Sequence, residues 1–382
     1  MEKMFKRTLL GAAVASLTMA GAVQAKPATD TVDLYGQVAI SVWQVAEDKF
    51  NGGDAPIKMD NESRFGLRGS HELARGPKFI WQLEGGNVLD DGANSGLGVR
   101  DTYGGFEFEN AGRIRFGRML APTYEIIDWP YSSTATGKVF DWGGDIIGGA
   151  RYDRQSNMVR YDSANLGGFT FNLAAGRGTE DVKDSNFFDV GAHYTAGVFT
   201  LHGGYQVGQD RQIDALNSLL TRWWKQNPNQ EPTWAEKFDA KGESDTQAGI
   251  LGFEVALDTF KLFGAVKQEM ADYDNITVTY TPAGATDSVT ETYRNLEMKQ
   301  LSYSAGVVYS GVDNWLFKAN YAANMDVELQ GDKIADTADS IVSAEALYFL
   351  DDSALTYVRP YMIDRDASGY EFGWGVGVEY YF

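Results

Sequence analysis

The chain has 382 residues, no cysteine and a formal net charge of −20, with a mean hydropathy of −0.31. Without cysteine there is neither a disulfide framework nor a thiolate metal site. The acidic balance, with no basic domain set against it, excludes nucleic acid as a partner. Past the leader no run of about 18 apolar residues occurs, so the chain is either a soluble exported protein or crosses a membrane as strands. A wide barrel gives the same polar mean hydropathy, because half of each strand faces water and the outer loops are polar.

The chain opens with Lys3, Lys6 and Arg7, an apolar stretch over Leu9–Ala22 and the small-x-small site Val23-Gln24-Ala25. This is the pattern of a secretory signal peptide over residues 1–25, leaving 26–382 as one β-domain. Period-two alternation then recurs over Thr31–Trp43, Ser63–Glu72, Lys78–Gly86, Arg100–Glu109 and Arg113–Arg118. After a non-alternating stretch it returns at Ser156–Ser163, Phe169–Arg177, Phe187–Thr195, Val198–Gly208, Asp245–Ala256 and Thr259–Met270. Met298–Ser310, Asn314–Met325, Ser340–Leu350, Ala354–Asp364 and Tyr370–Phe382 complete the series. The pattern predicts an all-β fold, a transmembrane antiparallel β-barrel of about 16 strands. Short turns such as Ala196-Gly197, Leu257-Asp258 and Asp351-Asp352-Ser353 alternate with long connections at Asp210–Ser244, Ala271–Glu297 and Asp326–Asp339. Short turns at one rim and long loops at the other are the layout of an outer-membrane barrel. Met119–Gln155 is longer than an ordinary loop, and Ile213–Trp224 has helical spacing.

The last segment is the clearest. Phe372, Trp374, Val376, Val378, Tyr380 and Phe382 fall on one face, and Glu371, Gly373, Gly375, Gly377, Glu379 and Tyr381 on the other. One face is apolar with aromatics at both ends, as where a membrane strand meets the interfaces. The terminal Phe382, with Tyr380, resembles the signal read by the barrel-assembly machinery of bacterial outer membranes.

Val32-Asp33-Leu34-Tyr35-Gly36, Ser63-Arg64-Phe65-Gly66-Leu67-Arg68-Gly69, Phe116-Gly117-Arg118, Phe140-Asp141-Trp142-Gly143-Gly144-Asp145 and Arg154-Gln155-Ser156-Asn157 follow one another in order. Together with Phe382 they resemble the general diffusion porins of Gram-negative bacteria over essentially the whole mature chain. The resemblance implies a homotrimer of sixteen-stranded barrels in the outer membrane, surrounded by the lipid bilayer and lipopolysaccharide. It also implies a third loop folded into the lumen, its carboxylates facing arginines on the wall. On the matching motifs the wall cations are Arg64, Arg118 and Arg154, and the loop acids Asp141 and Asp145. Two positions depart from the pattern: Gln37 replaces a first-strand lysine, and Gly137 with Lys138 stands where a second loop acid is expected. Asp128 and Glu125 are the candidates to replace that acid.

Parity supports most of these roles. If Phe65 and Leu67 face lipid, Arg64 and Arg68 face water; Ile114 and Phe116 likewise turn Arg113 and Arg115 inward. Arg118 shares parity with Phe116, so an inward Arg118 requires the strand to break at Gly117. His71, His193 and His202 are scattered without ligand spacing and read as structural. The acids Asp332, Asp336 and Asp339 read as a solvated face rather than a calcium site. No catalytic motif occurs. The expected function is passive diffusion of ions and small hydrophilic solutes through a cation-preferring, non-enzymatic pore without cofactor or metal. The alternatives are an oligosaccharide-selective porin, with Trp129, Trp142, Trp223, Trp224 and Trp234 as stacking platforms, and an outer-membrane hydrolase barrel.

Overall fold

The computed structural model describes residues 26–29, 31–47, 53–88, 96–132, 139–141, 154–178, 183–211, 239–280, 286–365 and 368–382. Sixteen antiparallel strands close into a barrel. They are β1 (Val32–Gln44), β2 (Arg64–Glu72), β3 (Lys78–Gly85), β4 (Leu97–Phe108), β5 (Gly112–Leu120) and β6 (Arg154–Asp162). Next come β7 (Phe169–Arg177), β8 (Asn186–Ala196), β9 (Phe199–Arg211), β10 (Ser244–Ala256) and β11 (Phe260–Tyr280). The wall ends with β12 (Val289–Tyr309), β13 (Trp315–Asn324), β14 (Asp339–Phe349), β15 (Ala354–Arg365) and β16 (Glu371–Tyr381). Each strand pairs with its sequence neighbours, and β16 returns to β1 in the register Gln37↔Tyr381 to Gln44↔Trp374.

The predicted alternation is the observed one. On β1, Leu34, Val38 and Ile40 are exposed while Tyr35, Gln37, Ala39 and Ser41 are buried toward the lumen. On β16, Phe372, Val376, Val378 and Tyr380 are exposed and Gly373 and Gly375 are buried. The glycines on that inner face leave room for rings from neighbouring strands. A Cβ at Gly373, Gly375 or Gly377 would collide with Tyr361, Trp43 or Tyr357 respectively.

The seam is closed by the last residue. Gly36 N–H donates to the Phe382 carbonyl at 3.0 Å, and Phe382 N–H donates back at 3.1 Å. The Phe382 ring lies over Gly36, where an added Cβ would be 2.7 Å from the ring and 2.6 Å from the Arg64 carbonyl.

One expectation is corrected. Ala271–Glu297 is mostly not a loop: β11 and β12 run on as a paired ribbon, in register from Ala271↔Met298 to Tyr280↔Val289. Ala271, Tyr273, Ile276, Met298 and Val327 form a separate buried cluster under this ribbon, with Leu329 and Ile334 packed against it. The helix expected over Ile213–Trp224 lies outside the described residues.

Gly36→Val tests the seam directly. Overpacking of this kind costs about 1–3 kcal/mol, here at the contact that closes the barrel. The expected outcome is a reduced heat-modifiable fraction in unheated detergent electrophoresis; wild-type folding yield would show that the seam tolerates a side chain at Gly36.

Candidate functional site: the lumen constriction

The long connection after β5 turns inward. It begins with a short helix, α1 (Pro122–Ile126), with proline at its start where a missing N–H costs nothing. The inner wall is recessed to receive it. A Cβ at Gly191 on β8 would lie 3.2 Å from Pro122, one at Gly204 on β9 would lie 2.6 Å from Thr123, and one at Gly252 on β10 would strike Tyr131. Across the lumen, Ser304 Oγ donates to the Tyr131 carbonyl at 2.6 Å, Lys318 Nζ to the Ser132 carbonyl at 3.1 Å, and the Phe140 N–H to Asn324 Oδ1 at 3.1 Å. Ile126, Ile127, Tyr131, Val139 and Phe140 bury their apolar surface against Phe263, Leu316 and Leu347 of the wall. The connection therefore spans the barrel interior and narrows it.

Two clamps hold the root of this loop. Arg160 on β6 donates to both Glu125 oxygens (2.9 and 2.6 Å), to Asp162 Oδ1 at 2.8 Å and to the Leu120 carbonyl at 2.7 Å. Asp162 in turn accepts from Arg115 at 2.6 Å and Arg113 at 3.1 Å. Asp189 on β8 accepts from the Thr123 N–H at 3.1 Å, from the Thr123 hydroxyl and from Gln206. A fully desolvated guanidinium persists only with compensating charge, and Arg160 has two carboxylates. Of the predicted site residues, Glu125, Arg113 and Arg115 thus belong to this anchoring network.

Above it runs a belt of alternating charge. Arg154 pairs with Asp101, Arg100 with Glu84, and Glu84 also faces Arg64 at 3.8 Å. Beyond the seam, Arg359 pairs with Glu345 and lies 3.8 Å from Glu379, its guanidinium stacked 3.7 Å over the Tyr357 ring. Lys318 follows on β13, buried, 4.3 Å over the ring of the loop residue Trp129. Asp128 and Asp141 of the loop both act on Lys318 electrostatically. Asp128 also feels Arg100, Arg154 and Arg64 across the opening, in that order. Burial pushes the Asp128 carboxyl above the usual range, against the pull of these cations. Among the described residues its carboxylate accepts no hydrogen bond, unlike that of Glu125.

Arg64 and Arg154 thus lie within electrostatic reach of Asp128, and Asp141 within reach of Lys318. Arg68 pairs with Asp33 at 3.6 Å and caps Tyr35. Asp145 lies outside the described residues. Arg118 is not brought to the lumen. β5 continues through Gly117 to Leu120, and the extra residue is absorbed on β6, where Gly117↔Met158 is followed by Met119↔Gln155. Met119 takes the inward place, and Arg118 stays on the Phe116 side, donating to the Val99 carbonyl and to Ser156 Oγ. Sequence reasoning missed Arg100, Arg160, Lys318 and Arg359; the last three interrupt a strand at an inward position, whereas Arg100 has the parity opposite to the buried Gly105 and reaches Glu84 past the irregularity between Leu83 and Gly85. His193 and His202, read as scattered, face each other in register with Nδ1 atoms 2.7 Å apart, and His202 reaches Glu254 at 3.0 Å. No group of three potential metal ligands occurs among the described residues.

A closed barrel with an apolar outer band, a polar lumen and an inward loop is an outer-membrane channel. Residues 11–368 match the family model of the Gram-negative porin, and the chain belongs to that family, residing in the cell outer membrane. It is 34% identical to the chitoporin of Vibrio furnissii, covering 94% of this chain and 93% of that protein. It is 28% identical to outer membrane porin protein 32 of Delftia acidovorans over 56% of this chain and 62% of the relative. Among solved structures, the anion-selective porin from Comamonas acidovorans superposes with a TM-score of 0.63 at 16% identity, covering 92% of this chain and 99% of that one. The OmpT protein of Vibrio cholerae gives 0.64 at 15%, covering 94% and 100%.

The two loop carboxylates predict different phenotypes in planar-bilayer recordings. Glu125→Gln, which removes the bidentate acceptor of Arg160, should increase open-channel current noise. Asp128→Asn should leave the noise unchanged and shift the reversal potential toward anions. Because the Asp128 pKa is raised, the wild-type reversal potential should begin to move in that direction at a higher pH than an ordinary carboxylate would give. A pH profile identical in wild type and Asp128→Asn would refute that role.

Proposed function

We propose that this porin is a channel for neutral oligosaccharides of the N-acetylglucosamine class, with a cation preference that appears in dilute salt. The observation that carries the reading is the alternating belt from Arg154 to Lys318. Guanidinium donors and carboxylate acceptors succeed one another around the opening, so hydroxyl and acetamido groups meet both kinds of partner. Paired charges leave a weaker transverse field than a purely cationic wall, and a weaker field rejects uncharged solutes less. Trp129 adds an aromatic surface at the same level. The near full-length similarity to a chitoporin supports the same solute class.

A general diffusion pore is the second reading, favoured by the similarity to porin protein 32 and by the Asp128–arginine opposition across the opening. Passage is passive in both, and a homotrimer is the proposed assembly. The net charge of −20 supports cation preference at low ionic strength. The Debye length is about 30 Å at 0.01 M and about 3 Å at 1 M, so distant loop carboxylates act only in dilute electrolyte.

Single-channel recording with N-acetylglucosamine oligomers separates the two readings. The proposed function expects concentration-dependent current blocks that lengthen with oligomer size and are absent with maltose oligomers of equal length. Indifference to both sugars favours the general pore. Reversal potentials at two salt concentrations test the ion preference, and an anion-selective wild type at low salt would overturn it.

A further inference from the structure

His193 on β8 and His202 on β9 are register partners, placed between the short turn at Ala196-Gly197 and the glycines Gly191 and Gly204 that seat α1. Both are half-buried and share the inward parity of those glycines, so the pair faces the lumen on the short-turn side of the loop. The rings stand edge to face, 5.0 Å apart and tilted by 78°, with their Nδ1 atoms 2.7 Å from each other. His202 Nε2 is 3.0 Å from Glu254 Oε1, and Lys261 Nζ lies 2.7 Å from the other Glu254 oxygen. Tyr131 of the loop packs edge-on against His202 at 6.0 Å. Its hydroxyl lies over Gly252, the register partner of His202, and has no hydrogen-bond partner among the described residues.

The contacts of His202 fix which of its nitrogens carries the proton. An ionised carboxylate only accepts, and a neutral imidazole has a single N–H. His202 therefore donates through Nε2 to Glu254, and its Nδ1 lone pair is turned toward His193. A carboxylate on one ring nitrogen, with the other nitrogen free, is the support that metal-binding histidines carry.

We propose that the His193–His202 pair binds a divalent transition ion through its two Nδ1 atoms, copper(II) in preference to zinc, with Glu254 as the positioning residue. The spacing selects the ion. Two nitrogens about 2.0 Å from one metal are about 2.8 Å apart at the right angle of a tetragonal site, and about 3.3 Å apart at a tetrahedral angle. The observed 2.7 Å fits the tetragonal case, which copper(II) favours and zinc does not. Copper(II) also stands above zinc in the general affinity order. The proton shared by the rings moves to Nε2 of His193, so both imidazoles are presented neutral without net proton release. No group of three His, Cys, Asp or Glu ligands forms here among the described residues. The ion therefore keeps water in its remaining places and exchanges with the lumen, where the net charge of −20 enriches cations.

Copper(II) titrated alone into the purified protein in detergent tests the proposal. Electron paramagnetic resonance reports the geometry, and spin-echo modulation counts the coupled imidazoles. The wild type should bind one ion per chain with a tetragonal spectrum and two imidazoles, at least about tenfold more tightly than zinc. His193→Gln or His202→Gln should leave one imidazole and weaken binding at least about tenfold. Glu254→Gln should keep both imidazoles and weaken binding about tenfold, and His71→Gln should change nothing. Heat-modifiable mobility and metal-free single-channel conductance establish that the variants fold. A wild-type spectrum with fewer than two imidazoles overturns the proposal without recourse to any variant. Wild-type affinity in the His193→Gln, His202→Gln double variant also overturns it, and assigns the ion to the amino terminus or to surface carboxylates. None of these outcomes depends on which solute the pore passes.

Discussion

A strand in hydrocarbon finds no water for its N–H and C=O groups, so a sheet there survives only by having no edge. In this chain that condition is met where β16 reaches β1, and the final two hydrogen bonds of the seam join Gly36 to Phe382. Closure fixes the circumference, and the circumference fixes the interior: sixteen strands leave a lumen too wide for wall side chains to fill. The inward connection occupies that space. Its seat at Gly191, Gly204 and Gly252 exists because the backbone of the loop must approach the wall more closely than a Cβ allows.

The same geometry sorts the charges into two kinds. At the loop root, Arg160 is desolvated and must be matched there by Glu125 and Asp162. Its role is positional, and the opening inherits its shape from it. At the belt the guanidiniums of Arg64, Arg100, Arg154 and Arg359 remain partly hydrated, while Glu84, Glu345 and Lys318 are buried and depend on their partners. Asp128 differs from both. It is held by the loop, lies within electrostatic reach of Lys318, Arg100, Arg154 and Arg64 and accepts no hydrogen bond among the described residues.

Much of this was legible in sequence, for a physical reason: each strand meets lipid on one side and water on the other, so period two is enforced residue by residue. All sixteen segments expected from that pattern are strands of the barrel. The pattern fails where the constraint lapses. Beyond the membrane, the ribbon Ala271–Tyr280 is polar and β-branched on both faces and reads as loop, although the Thr279–Thr290 pair and the cluster around Tyr273 stabilise it as sheet. Arg118 shows the reverse error. Parity placed it outward and the family motif inward, and parity was right, because the irregularity sits on β6 rather than at Gly117. The belt escaped notice because its pairs are distributed around the whole wall, from Asp101 with Arg154 on β4 and β6 to Glu345 with Arg359 on β14 and β15.

The alternation also separates two tasks that one pore must perform. The field of closely paired opposite charges cancels within a few ångströms, so the belt acts on a solute only by contact, through hydrogen bonds and ring stacking. The uncompensated carboxylates of the chain act at the Debye length, which at physiological ionic strength is about 8 Å. A neutral sugar therefore experiences the wall but not the distant charge, whereas an ion experiences both before it arrives. Changing Arg359 or Glu84 singly would create a local net charge at the contact surface and merge the two ranges. On the proposed reading, preserving the pairs keeps contact with a neutral solute independent of the ionic strength outside the cell.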